Sequence, residues 1–176
     1  MSKLIRFISL DEFKKVLKAE KNPRYRLAYV LGFGSGLRIS EIVGPDKKSN
    51  QEIKPLTSDQ INFQTKQIKV LGKGGKERVT VINPLFPLNE SHLKLLPLQI
   101  SRRTLQDRFR KLCIKTLGKE LNFHTLRHGF ANHYINERGL PITMVQGLGG
   151  WSRLDTVGIY AKANPVQAIN KVWEGF

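Results

Sequence analysis

Residues 61–82 read INFQTKQIKVLGKGGKERVTVI, and how this stretch folds decides the class of the whole chain. Its segments INF, QIKVLG and ERVTVI are rich in β-branched and aromatic residues and separated by short turns, which is the pattern of strands. GKGG joins the last two as a hairpin turn. Outward from this small antiparallel sheet the apolar spacing becomes helical. Upstream, SLDEFKKVLKAE opens with Ser9 three residues before Glu12, a capping box, and continues at helical period. A second helix is expected over Tyr25 to Gly36, followed by LRISEIVG with Gly44 as its stop, and Pro45 to Pro55 reads as a polar loop. Downstream, helices are expected over Ser101–Gly118, from Thr125 to Arg138, over Ile142–Leu148, around Asp155–Tyr160 and after Asn164-Pro165. The predicted class is α+β, mostly helical with one three-stranded antiparallel sheet.

The chain has 176 residues, which fits one domain able to bury roughly 70% of its unfolded surface. Thirty Lys and Arg against fourteen Asp and Glu leave a net charge of +16, which points to a polyanionic partner, nucleic acid first. A membrane surface fits less well, because no basic stretch pairs with a long apolar helix face. The single cysteine, Cys113, lies in an amphipathic run with Leu105, Phe109, Leu112 and Leu117 and reads as core. One cysteine forms no internal disulfide, no stretch is apolar enough to span a bilayer, and the N-terminus lacks a signal-peptide core; a cytoplasmic location is expected.

Two glycine-rich stretches carry no nucleotide chemistry. In LGFGSGLR the glycines Gly32, Gly34 and Gly36 close a helix instead of joining a strand to one, as a dinucleotide site requires. In GKGGK no Ser or Thr follows Lys76 and no long helix begins, so a phosphate loop is excluded. FHTLRHGFANHY, residues 123–134, raises a different question with three histidines and an arginine. His124 and His128 would share a helix face, as in zinc sites, but a third ligand and a nearby carboxylate or thiolate are wanting in the sequence, so no metal is expected. A structural histidine pair and a catalytic constellation remain.

Separated segments in a fixed order favour the second. GSGLRISEI, VLGKGGKERVTVI, HTLRHGFA and LGGWSRLDTVGIYA together resemble the successive catalytic boxes of the tyrosine recombinases, the phage-integrase and Xer-type family. The resemblance runs over nearly the whole chain. It implies the catalytic-domain fold of that family and supplies Arg38 with Glu41 from the first box, Lys73 from the hairpin, His124 and Arg127 from the third box, and Tyr160 from the last. Many members carry a histidine nine residues before the tyrosine. Counting back from Tyr160 reaches Trp151, whose indole N–H can donate a hydrogen bond but cannot exchange protons.

The residue types suit phosphoryl transfer. Attack on a phosphodiester adds negative charge to the non-bridging oxygens, and two guanidiniums, Arg38 and Arg127, can clamp them bidentately. Tyr160 offers the hydroxyl for a covalent intermediate, which by the resemblance is a 3′-phosphotyrosine with a free 5′-hydroxyl. His124 suits acceptance or relay of the tyrosine proton. The resemblance assigns protonation of the departing oxygen to Lys73, and Glu41 is expected to orient His124 or Arg38. His128 is expected to be a helper or a core residue. No cofactor is expected, since the bond energy stays in the phosphotyrosine.

The helix at Ser101–Gly118 is expected to turn Arg103, Arg110 and Lys111 toward DNA, with Arg102 over its N-terminal end and Lys76 of the hairpin among the DNA contacts. Residues 1–176 are read as the catalytic domain alone, without the smaller N-terminal helical domain of most members. The expected partners are double-stranded DNA at a specific site and further copies of the chain, as a tetramer on DNA, with no membrane. The rival readings are a non-catalytic DNA-binding regulator and a type IB topoisomerase.

Overall fold

The computed structural model describes residues 7–45, 53–72 and 75–160. Lys73 and the helix expected after Asn164-Pro165 therefore lie outside the described residues. The sheet is three-stranded and antiparallel in the order β1 (Ile61–Asn62), β2 (Gln67–Leu71), β3 (Glu77–Val81). Its register pairs Ile61 with Ile68, Ile68 with Thr80 and Val70 with Arg78. Side chains of a strand alternate between faces, so this register puts Ile61, Ile68, Val70, Thr80 and Arg78 on one side. The apolar members of that set and Thr80 are buried, whereas Leu71 and Val79 face solvent.

Helices α1 (Leu10–Ala19), α2 (Pro23–Gly34), α5 (Arg102–Leu117) and α6 (His124–Asn132) pack against the sheet through one apolar cluster. The capping box of α1 is formed: Glu12 N donates to Ser9 Oγ at 3.2 Å, and Ser9 N to Glu12 Oε2 at 3.0 Å. Phe13 stacks on Phe33 with centroids 4.3 Å apart, and Tyr29, Phe109 and Phe123 make edge contacts behind them. Helix α5 buries Leu105, Phe109 and Cys113, with Leu112 and Leu117 half-buried at the margin of the stripe. Arg108 on α5 reaches the buried Glu20 with a bidentate pair at 2.7 and 2.8 Å, tying α5 to the end of α1.

A second apolar cluster joins α6 to α7 (Ile142–Gly149) and α8 (Leu154–Gly158) through Phe130, Tyr134, Val145, Val157 and Tyr160. Helix α6 takes part in both clusters, with Leu126 in the first and Phe130 in the second. The helix expected from Thr125 to Arg138 is continuous, but its second half, His133–Glu137, winds as a π-helical turn. Two further short helices, α3 (Ile39–Val43) and α4 (Glu90–Leu93), and a 3-10 turn at Ser58–Gln60 complete the described elements; α4 carries no apolar period that would announce it. Among the described residues no helix is long and apolar enough to cross a membrane.

Candidate active site

The turn between α2 and α3 aims the first arginine. Gly36 takes φ of +67°, and a β-carbon there would lie 2.8 Å from Phe130, so both backbone and space demand glycine. Thr80 Oγ1 of β3 donates to Ser35 O at 2.7 Å and fastens this turn to the sheet. Arg38 then caps α3. Its backbone N donates to Glu41 Oε2 at 2.7 Å, its Nη1 to Glu41 Oε1 at 2.9 Å, and its Nη2 to Gly150 O at 2.8 Å. Glu41 is thus directed at Arg38 and not at His124, settling which of its two expected partners it holds.

Arg127, on the first turns of α6, is buried, with Nη1 donating to Gly36 O at 2.5 Å. Its guanidinium carbon stands over the Trp151 indole, 3.9 Å from the ring centroid. Trp151 meets Arg127 with its ring face, and Gly149 makes room for that ring, since a β-carbon on Gly149 would fall inside it. Arg127 Nε and Nη2 are buried without a hydrogen-bond partner. Burial, then the charges of Arg38 and Arg78, push Arg127 down to about 9. A buried cation with unused donors beside other cations is a site short of an anion.

Arg38, His124, Arg127 and Arg102 line one pocket of about 440 Å³. Arg38 also lines its neighbour of about 580 Å³, together with Glu41, Lys76, Arg78 and Trp151. Hence Arg102 and Lys76 border the candidate catalytic pockets. Arg103 and Lys111 instead line a groove with Tyr25 and Arg108 on the outer side of α5, and Arg110 pairs with Glu120 at 3.0 Å.

Tyr160 is buried in the second apolar cluster, and burial pushes its phenol up to about 12 against the opposing charge of Arg127. Its hydroxyl contacts His128 Nδ1, and its carbonyl accepts from Asn136 Nδ2 at 2.7 Å. His128 stands between Tyr160 and His124, whose ring it meets edge-on at 4.4 Å. Burial, then His124 and Arg127, push His128 down to about 4, while His124, exposed at the pocket mouth, is lowered by partial desolvation and by Arg127 and Arg38. The residue touching the tyrosine is therefore His128, not the expected His124. His133 takes no part: its Nδ1 lies 2.6 Å from Glu137 Oε2.

The site also holds an arginine that sequence reading passed over. Arg78 of β3 donates from Nη1 and Nη2 to the two Glu41 oxygens at 2.6 and 2.8 Å, and from Nε to Leu148 O at 3.1 Å. Burial alone would raise the Glu41 carboxyl, but the bonds and charges of Arg78 and Arg38 hold it below the usual carboxylate range. The signal was strand parity: Arg78 shares a face with Thr80 and Ile82 in ERVTVI.

The family model described as "Phage integrase family" matches residues 89–166, which hold His124, Arg127, Trp151 and Tyr160. Tyrosine recombinase XerA of Pyrococcus horikoshii is 33% identical over 169 residues, covering 86% of this chain and 55% of that protein. The chain thus spans about half the length of the curated relatives it matches. Among solved structures, XerH recombinase bound to its difH substrate superposes with TM-score 0.66 at 23% identity over 99% of this chain and 56% of that one. The catalytic domain of bacteriophage HP1 integrase superposes with TM-score 0.62 at 20% identity over 94% of both chains. At those identities the likeness is one of fold.

Proposed function

This chain belongs to the phage integrase family of tyrosine recombinases, and from that premise we propose that it cleaves and rejoins DNA strands at a specific duplex site. The observation that carries the reading is Arg127, whose buried Nε and Nη2 have no hydrogen-bond partner and which shares a pocket with Arg38 and His124. A scissile phosphodiester supplies the missing acceptor oxygens. The two guanidiniums bind its non-bridging oxygens and gain strength as charge develops there. Tyr160 Oη attacks phosphorus, the bond to the 5′-oxygen breaks, and a 3′-phosphotyrosine remains. The phenolic proton passes to the histidine pair, and Lys73 gives one to the leaving oxygen. Tyr160 is buried against His128, so attack requires it to leave that contact. Trp151 packs its ring under Arg127 in place of a proton-carrying histidine. Self-association as a tetramer on DNA, to exchange strands between paired sites, belongs to the same proposal.

The test is covalent capture. Nicked duplexes from a randomised library, incubated with the wild-type chain, should yield a protein–DNA adduct that resists denaturant. Tyr160→Phe, which lacks the attacking oxygen, should bind the recovered duplex with unchanged affinity and form no adduct. An adduct persisting in Tyr160→Phe would move the nucleophile elsewhere.

A further inference from the structure

Arg38 reaches the phosphate pocket with two of its nitrogens already engaged, Nη1 on Glu41 Oε1 and Nη2 on Gly150 O. Arg78 determines both anchors. It occupies both Glu41 oxygens, so the carboxylate cannot swing into a side-on bidentate pair with Arg38 and withdraw it from substrate. Its Nε holds Leu148 O, and Gly150 lies so close that a β-carbon there would stand 2.5 Å from Arg78 Cδ. Through those contacts Arg78 fixes the turn that presents the Gly150 carbonyl to Arg38 and the Trp151 ring to Arg127. Its own strand carries the third link, since β3 pairs with β2 from Gln67 against Val81 to Leu71 against Glu77.

We propose that Arg78 is a positioning residue that joins the β2–β3 hairpin, the Arg38 guanidinium and the Leu148–Trp151 turn into one unit and keeps Arg38 available to the phosphate. The inference rests on the strand-cleavage reading above. A simple strand-anchoring ion pair would require only charge at position 78. The positioning role requires the planar fork and the Nε bond together, which a lysine ammonium cannot make at once.

Arg78→Lys separates the two. With the duplex recovered by capture on the wild-type chain, the variant should bind within about twofold of wild type and melt at nearly the same temperature, while adduct formation slows at least tenfold. Combined with Arg38→Ala the losses should be less than multiplicative, because the two changes share the Glu41 and Gly150 anchors. Wild-type cleavage by Arg78→Lys, or losses that multiply in the double variant, would overturn the proposal. So would a slowing that merely tracks the unfolded fraction. A DNA-free arm uses Trp173→Phe to leave Trp151 as the sole indole: Arg78→Lys should shift its emission as the turn relaxes off Arg127, and unchanged emission counts against the role. If the wild-type chain captures no duplex, the cleavage reading fails, and this emission arm alone decides for or against Arg78.

Discussion

A neutral imidazole accepts a hydrogen bond only through its unprotonated nitrogen, and His128 Nδ1, which meets the Tyr160 hydroxyl, accepts the phenolic hydrogen in the tautomer protonated at Nε2. With the imidazole near 4 and the phenol near 12, the proton stays on tyrosine in the DNA-free chain. The lowering of the two imidazoles comes first from burial and then from uncompensated neighbours, because Arg127 depresses His128 and Arg127 with Arg38 depresses His124. A bound phosphate would offset those charges and make the histidines better bases where a base is needed. The same displacement has a cost in stability at acid pH. His128 titrates at about 4 folded against 6.5 ordinarily, so between those values the unfolded chain binds more protons and stability rises with pH. The contribution is complete above pH 6.5 and is lost as pH falls toward 4. His124 is displaced in the same direction and adds to the loss. His128→Asn keeps an acceptor near the Nδ1 position and does not titrate. Melting temperatures from pH 7 to 5 should fall less steeply in that variant; parallel curves would place the acid sensitivity elsewhere.

Among the elements, α5 combines an apolar stripe readable from its period with a basic face whose use the period cannot specify. Ser101 caps it through Thr104 N at 3.0 Å, and Gly118 ends it at φ of +65°. Its arginines differ in readiness for phosphate. Arg103 is 93% exposed and only 4.0 Å from Asp107, whereas Arg110 must first give up Glu120. Exposed pairs contribute about 0–1 kcal/mol, so the Glu120 bond lessens Arg110's gain without preventing it. Arg103→Ala should therefore weaken DNA binding more than Arg110→Ala and flatten the salt dependence by about one counterion. Affinities measured across a salt series that show no loss in either variant would remove this face from the interface, and a loss in Arg110→Ala as large as in Arg103→Ala would refute the ranking. The sheet was legible for a similar reason: INF, QIKVLG and ERVTVI declare themselves by composition and turns. Arg78 was legible only in part: the parity of ERVTVI puts it on the face of Thr80 and Ile82 but does not say what would neutralise it there. Its burial depends on Glu41, a partner 37 positions away that no local pattern reveals. For His128, expected as a helper or a core residue, the partner was hidden for the same cause, since its contact is made by a tyrosine 32 residues later in the chain.

For the whole molecule, the +16 charge forecast a polyanion, and the order of the boxes forecast which side chains would meet, but neither forecasts what bringing those cations together costs. Arg38, Arg78 and Arg127 converge with Glu41 as the buried carboxylate among them, and Arg127 sits at the junction of the two apolar clusters. A buried guanidinium with unmet donors destabilises the fold unless an anion is present. Function and stability therefore oppose each other at this point. Replacing Arg127 by methionine preserves much of the volume against Trp151 and removes the unmet charge, at the loss of the Gly36 bond and the stacking. Arg127→Met should melt at or above the wild-type temperature while abolishing adduct formation. Inorganic phosphate should separate the two chains further. An anion that binds only the folded site stabilises it by about 2.7 kcal/mol at a hundredfold excess over Kd. In a domain of this size that raises the wild-type melting temperature by roughly 5–10 °C. In Arg127→Met the rise should shrink to the small effect phosphate has on any fold, matched by sulfate-free controls at equal ionic strength. An equal rise in both chains, or a variant that melts well below wild type, would show that Arg127 is a satisfied structural cation and that the phosphate site lies elsewhere.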